Sequence, residues 1–228
     1  MSSDLEAPSP AEKPAASGRR LAMLAIGGVL LGLLVGWLTI QFASGNWRLG
    51  PYEYRGLLMP TPEKVDDFTL TAHDGQEVRL SNFHDQLVVL YFGYTYCPDV
   101  CPATLSALSS AMDELTPTEK EQIQVLMVTV DPERDSPEVL ADYLAHFDPT
   151  FLGLTGTDQQ LAEATKALGV FYQKGSGSAA SGYLVDHTAT VSVVDKAGQL
   201  RLLFPFGTSS DDIAADLKNL VHEEQTAS

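Results

Sequence analysis

Only two of the 228 residues are cysteine, so the chain cannot build the disulfide framework that staples small secreted domains. The same shortage rules out the four-cysteine set usual for iron–sulfur centres and an all-cysteine structural zinc site. Basic side chains are also scarce: 14 Lys and Arg stand against 30 Asp and Glu, a formal net charge of −16. A field of that sign repels phosphate backbones, which excludes nucleic acid as a partner. No proline occurs from Thr150 to Phe204, and no internal repeat is seen. Only one uncharged apolar stretch, Leu21 to Ile40, is long enough to cross a membrane.

That stretch of twenty residues covers a hydrocarbon layer of about 30 Å at about 1.5 Å per residue. It reads as an uncleaved transmembrane helix. The competing reading, a signal peptide, has a shorter apolar core, and Gln41-Phe42-Ala43 is a poor cleavage site. Arg19 and Arg20 at its start keep the N-terminus cytoplasmic and send the rest outside. Asp4, Glu6 and Glu12 make the leader too acidic for an organellar transit peptide, which favours a bacterial inner membrane with the C-terminal domain in the periplasm. Gly28, Gly32 and Gly36 have the four-residue spacing that lets membrane helices approach, so homodimerisation through the anchor is open, although glycine is frequent in such helices anyway. The expected organisation is a disordered cytoplasmic tail over 1–20, an anchor over 21–42, a linker over 43–62, one domain over 63–224 and a disordered end over 225–228.

Within the domain, Asp67–Ala72 and Glu77–Leu80 flank an Asp-Gly turn and predict a hairpin. Leu87–Phe92 and Ile123–Val130 read as buried strands, and Phe151–Leu154 as a shorter one. Leu105, Leu108, Met112 and Leu115 mark a helix starting near the cysteines. A second helix starts at Ser136 with Pro137 in its first turn, and Asp158 is expected to cap a third through Leu168. Thr190–Val194 and Leu200–Phe206 predict a hairpin, and Ile213, Leu217 and Leu220 a last helix. The order favours an α/β domain with one mixed sheet covered by helices. Gln173–Gly182 is rich in small residues and reads as an exposed, mobile loop.

Cys97 and Cys101 lie one helical turn apart if their segment is helical, so both sulfurs reach one ion. Their Cα atoms, about 6 Å apart in that geometry, also suit a disulfide, so the pair can switch between dithiol and disulfide. A helix start is expected to lower the thiol pKa values. Soft thiolates select Cu(I), zinc or iron–sulfur clusters; two cysteines with a histidine suit copper, as Cu(I) or Cu(II). Of the five histidines, His73, His146 and His222 read as surface residues, and His84 is ambiguous. His187 precedes a predicted core strand, with Asp186 beside it as a group able to orient the imidazole.

Cys97-Pro98-Asp99-Val100-Cys101-Pro102, preceded by Tyr91-Phe92-Gly93-Tyr94-Thr95 and followed by Val130-Asp131-Pro132-Glu133-Arg134-Asp135-Ser136-Pro137, resembles the Sco/SenC family. Gly153-Leu154-Thr155-Gly156 and Tyr183-Leu184-Val185-Asp186-His187-Thr188 are similar to further signatures of that family. The resemblance runs from about Phe68 to Val221. It implies a thioredoxin-like fold on a single anchor, copper bound by Cys97, Cys101 and His187, and maturation of the binuclear copper centre of cytochrome c oxidase. Implied partners are the copper-receiving oxidase subunit and another periplasmic copper chaperone or thiol reductase. The small-residue loop between Val170 and Leu184 departs from the acidic or polar loops of relatives, so its partner contacts do not carry over.

A thiol-disulfide oxidoreductase that keeps the oxidase copper-site cysteines reduced is the main alternative. Thioredoxin-like reductases usually have two residues between their cysteines and a proline facing them; here there are three, and His187 falls near the proline's expected place. A peroxidase lacks an activating Arg in the motif. A copper-responsive signalling protein stays open.

Overall fold

The computed structural model describes residues 17–43, 52–176 and 182–227. The chain forms two compact units, Met1–Tyr52 and Glu53–Ser228. In the first, α1 (Ser17–Ala43) contains a 19-residue apolar segment, Ala22–Ile40, long enough to cross a membrane. Gly28, Gly32 and Gly36 have open space where a Cβ would project. Its helical start at Ser17 trims the expected tail; residues 1–16 and 44–51, part of the tail and linker readings, lie outside the described residues.

The second unit is built on an eight-stranded sheet in the order β1-β10-β9-β4-β5-β6-β2-β3. Its centre is β4 (Leu87–Gly93), buried at every position and parallel to β5 (Ile123–Thr129), which is parallel to β6 (Leu152–Thr155). Strands covered on both faces need unbroken apolar sequence, and β4 and β5 have it. The predicted hairpin is β2 (Thr69–Ala72) with β3 (Glu77–Arg79), joined to β6. β9 (Val191–Val194) runs antiparallel to β4 and pairs with β10 (Gln199–Phe204).

Two strands correct the sequence reading. β1 (Leu57–Lys64) pairs with β10 where a linker to residue 62 was expected. β7 (Tyr172–Lys174) pairs with β8 (Val185–His187) in a separate two-stranded ribbon, so the expected loop begins within a strand; residues 177–181 lie outside the described residues.

The helices follow their caps. α2 (Val100–Asp113) rises from the cysteine loop; the Pro117 that ends its reach opens the short α3 (Pro117–Lys120). α4 (Pro137–Leu144) is capped by Ser136 as predicted. α5 (Asp158–Ala167) is capped by Thr157, one residue earlier than expected, because the Thr157 hydroxyl accepts the Gln160 N–H while the Gln160 side chain accepts the Thr157 N–H. α6 (Ser210–Ala227) packs against α2, and Ser109 of α2 donates to the Phe147 carbonyl beyond α4. α2 is thereby fixed over the sheet with its N-terminal turn at the carboxyl end of β4.

Candidate metal centre

β4 ends at Gly93, and the chain turns through Tyr94-Thr95-Tyr96 to Cys97 before α2 begins. A Cβ on Gly93 would stand 2.7 Å from Tyr91 Cε1 and 3.1 Å from Cys101 Sγ, so only glycine lets the strand pass this close to the sulfur. The loop is held by Asp135, fully buried, which accepts the Thr95 N–H at 3.0 Å and the hydroxyls of Thr95 and Thr129, each at 2.6 Å. Cys97 therefore precedes the helix rather than sitting on its face, half-buried, while Cys101 is buried in the first turn. The Cys101 N–H donates to Cys97 Sγ at 3.4 Å. Both thiols are free.

His187 comes from the other side, at the end of β8, and its Nε2 lies 3.5 Å from Cys101 Sγ although the two residues are 86 apart in sequence. Its Nδ1 is 3.2 Å from the Thr188 carbonyl, which can only accept, so Nδ1 carries the proton and the Nε2 lone pair points toward the sulfurs. The ring sits edge-on to Tyr94 and Tyr91, with centroids at 5.9 and 6.2 Å. The ligand atoms of Cys97, Cys101 and His187 all lie within 4.8 Å of one another. Two sulfurs and one imidazole nitrogen at that spacing form a donor set for a single soft ion.

Burial dominates the electrostatics. It pushes the Cys101 thiol up to about 12, and the polar groups of the neighbouring Tyr91 and Tyr94 offset it only in part. The expectation that the helix start lowers this thiol is overturned, because a fully buried sulfur loses more by desolvation than a helix terminus returns. Burial also lowers His187, outweighing the Thr188 carbonyl and the charge of Asp186, so the imidazole is neutral at pH 7. Asp186 itself is exposed and acts on the ring through its charge; the ring Nδ1–H donates to the Thr188 carbonyl.

The other histidines are occupied elsewhere. His73 Nδ1 accepts the Gly153 N–H at 3.0 Å, His146 Nδ1 meets the Asp142 carbonyl, and His222 Nε2 is 3.0 Å from Glu119. His84 is exposed just past the 3₁₀ turn Leu80–Phe83. Sequence reasoning quoted Asp131, Arg134 and Asp135 as motif residues without a role, since their partners Tyr183 and Thr95 lie far away in the chain.

The family model described as SCO1/SenC matches residues 59–222. The chain belongs to the SCO1/SenC family. The mouse mitochondrial SCO2 homologue is 31% identical over 200 residues, which are 87% of this chain and 77% of the mouse protein. Apo Sco1 of Thermus thermophilus superposes with a TM-score of 0.68 at 46% identity, covering 74% of this chain and 98% of that one. ScoI of Bradyrhizobium japonicum, whose structure has copper bound, gives a TM-score of 0.63 at 30% identity, covering 69% of this chain and 99% of that one. These likenesses identify the sheet and its helices as the thioredoxin-like fold of Sco proteins.

Proposed function

We propose that this protein is a membrane-anchored copper carrier that holds copper through Cys97, Cys101 and His187 and delivers it to the binuclear copper centre of cytochrome c oxidase during assembly. The observation that carries the reading is the convergence of three ligand atoms within 4.8 Å, one of them an imidazole nitrogen whose lone pair is left free by the Thr188 carbonyl. The Bradyrhizobium relative with copper bound supports the choice of metal, and family membership supports the oxidase as destination. α1 supports an anchor, which we place in a bacterial inner membrane with the domain in the periplasm.

Copper is the cargo. Each thiol that ligates gives up its proton, and the buried Cys101 thiol, protonated at neutral pH, releases its proton to solvent as the incoming cation takes its place. Cys97, half-buried, is the ligand a partner's sulfur can reach first, which suits transfer by stepwise ligand exchange.

One observation favours a second reading as a thiol reductase of the oxidase's copper-site cysteines. The pair is asymmetric: Cys97 is accessible and receives the Cys101 N–H, whereas Cys101 is buried behind it. The Cys97 thiolate would attack a partner's disulfide and form a mixed disulfide. Cys101, losing its proton, would then attack Cys97 Sγ, releasing the partner's dithiol and leaving a Cys97–Cys101 disulfide.

Metal analysis of the reduced protein beside Cys97→Ser and His187→Ala separates the two. The carrier reading expects one copper per chain, a thiolate-to-Cu(II) charge-transfer band, and loss of that band in Cys97→Ser with weakened binding in His187→Ala. Unchanged copper affinity in His187→Ala together with rapid dithiol exchange contradicts the carrier reading and favours the reductase.

A further inference from the structure

His187 is not on the main sheet. Its segment hangs on the β7–β8 ribbon, whose two strands are paired only with each other among the described residues, so something else must hold the imidazole over the cysteines. Several of the contacts that do so meet at one side chain. The guanidinium carbon of Arg134 lies 3.7 Å from the ring centroid of Tyr183, which leads into β8, and 4.7 and 5.7 Å from those of Tyr96 and Tyr94 in the cysteine loop. Arg134 Nε is hydrogen-bonded to Asp131, whose other carboxylate oxygen accepts the Tyr183 hydroxyl at 2.7 Å. The Tyr94 hydroxyl in turn accepts the Val185 N–H at 3.2 Å, and the Tyr94 ring meets the His187 ring edge-on. The Arg134 side chain is 9% exposed, and its Nη2 is buried without a hydrogen-bond partner among the described residues. A buried guanidinium with an unused donor is costly. What it gains here is aromatic faces, against which a planar guanidinium stacks.

We infer that Arg134, clamped to Asp131, is a positioning residue for the metal centre: it ties the His187 segment, through Tyr183, to the cysteine loop, through Tyr94 and Tyr96, and so sets whether the imidazole reaches the ion. This rests on the reading of Cys97, Cys101 and His187 as metal ligands. Arg134 touches none of the three, and the inference is that its effect on metal passes through the His187 segment that it holds by Tyr183 rather than through the cysteine loop.

That indirectness is what the test reads. The reduced full-length chain in detergent micelles is titrated with Cu(II) against a competing chelator, as wild type, Arg134→Met, His187→Ala and the double variant, with electron paramagnetic resonance of each loaded form. Supporting groups of this kind change metal affinity roughly 10- to 100-fold. We expect a loss of that size for Arg134→Met, with reduced nitrogen coupling in the spectrum. In the His187→Ala background the same substitution should change affinity by no more than about twofold, because two changes acting on one interaction do not add. Equal losses in both backgrounds, or a wild-type spectrum and affinity in Arg134→Met, overturn the inference. Tyr183→Phe removes only the hydroxyl that binds Asp131 and decides the matter if Arg134→Met does not fold: about a fivefold loss, again absent without His187, is expected, and no loss or a loss that persists overturns it. Wild type that binds no copper, or His187→Ala that binds as wild type does, contradicts the metal-centre reading itself and the inference with it.

Discussion

At the residue scale the site is governed by desolvation. Cys101 is fully buried against Tyr91 and Gly93, and burial keeps its thiol protonated until a cation displaces the proton. Burial likewise keeps His187 neutral, which is the form that ligates. Gly93 makes this packing possible. The Tyr91 ring that a Cβ would strike is itself fully buried and has nowhere to go. Gly93→Ala should therefore destabilise the domain by about 1–3 kcal/mol, as overpacked cores do, and disturb the spectrum of bound copper by displacing Cys101. A thermal unfolding midpoint and a copper spectrum both equal to wild type would show that the strand does not need glycine there.

The elements show how much of this was legible in advance and why. β4 and β5 were readable because continuous apolar runs have few other uses, and the caps at Ser136 and Pro137 because they act over one turn. β1 was not: Pro60 and Pro62 argue against a strand, and the chain tolerates them only at the sheet edge, within the stretch where pairing with β10 is interrupted between Leu58 and Glu63. β7 and β8, three residues each, are too short for any periodicity. In the site, the cysteine pair declares itself by spacing. His187 stood out locally only as the histidine before a predicted core strand, family resemblance supplied its ligand role, and the clamp of Asp131, Arg134 and Tyr183 exists only once the fold has closed.

The capping box of α3 is another feature of this scale, and it has a pH signature. Glu119 accepts the Thr116 N–H and hydroxyl, each at 2.8 Å, and meets His222 of α6 at 3.0 Å. Burial alone would raise its carboxyl, but these bonds outweigh it and hold the group below the ordinary carboxylate range. A depressed folded pKa contributes stability above the unfolded value of about 4.3, lost as pH falls through the folded value. Glu119→Gln should cost about 1 kcal/mol at pH 7 in urea unfolding and progressively less below pH 4 or so. A deficit that stays constant, or grows, on acidification would contradict this assignment.

For the whole molecule, the fold's main contribution is to bring together what the chain keeps apart. Cys97 and Cys101 leave the end of a central strand, while His187 arrives 86 residues after Cys101 on a ribbon outside the main sheet. A net charge of −16 gives a field that repels phosphate backbones, and α1 supplies a segment able to cross a membrane. Neither feature bears on the proposed copper chemistry, which needs one ion to see all three side chains at once. X-ray absorption at the copper edge of the reduced, Cu(I)-loaded full-length protein asks that directly. The account predicts a first coordination shell of two sulfurs and one imidazole nitrogen, with the nitrogen lost in His187→Ala; a shell of sulfur alone in the wild type would contradict it.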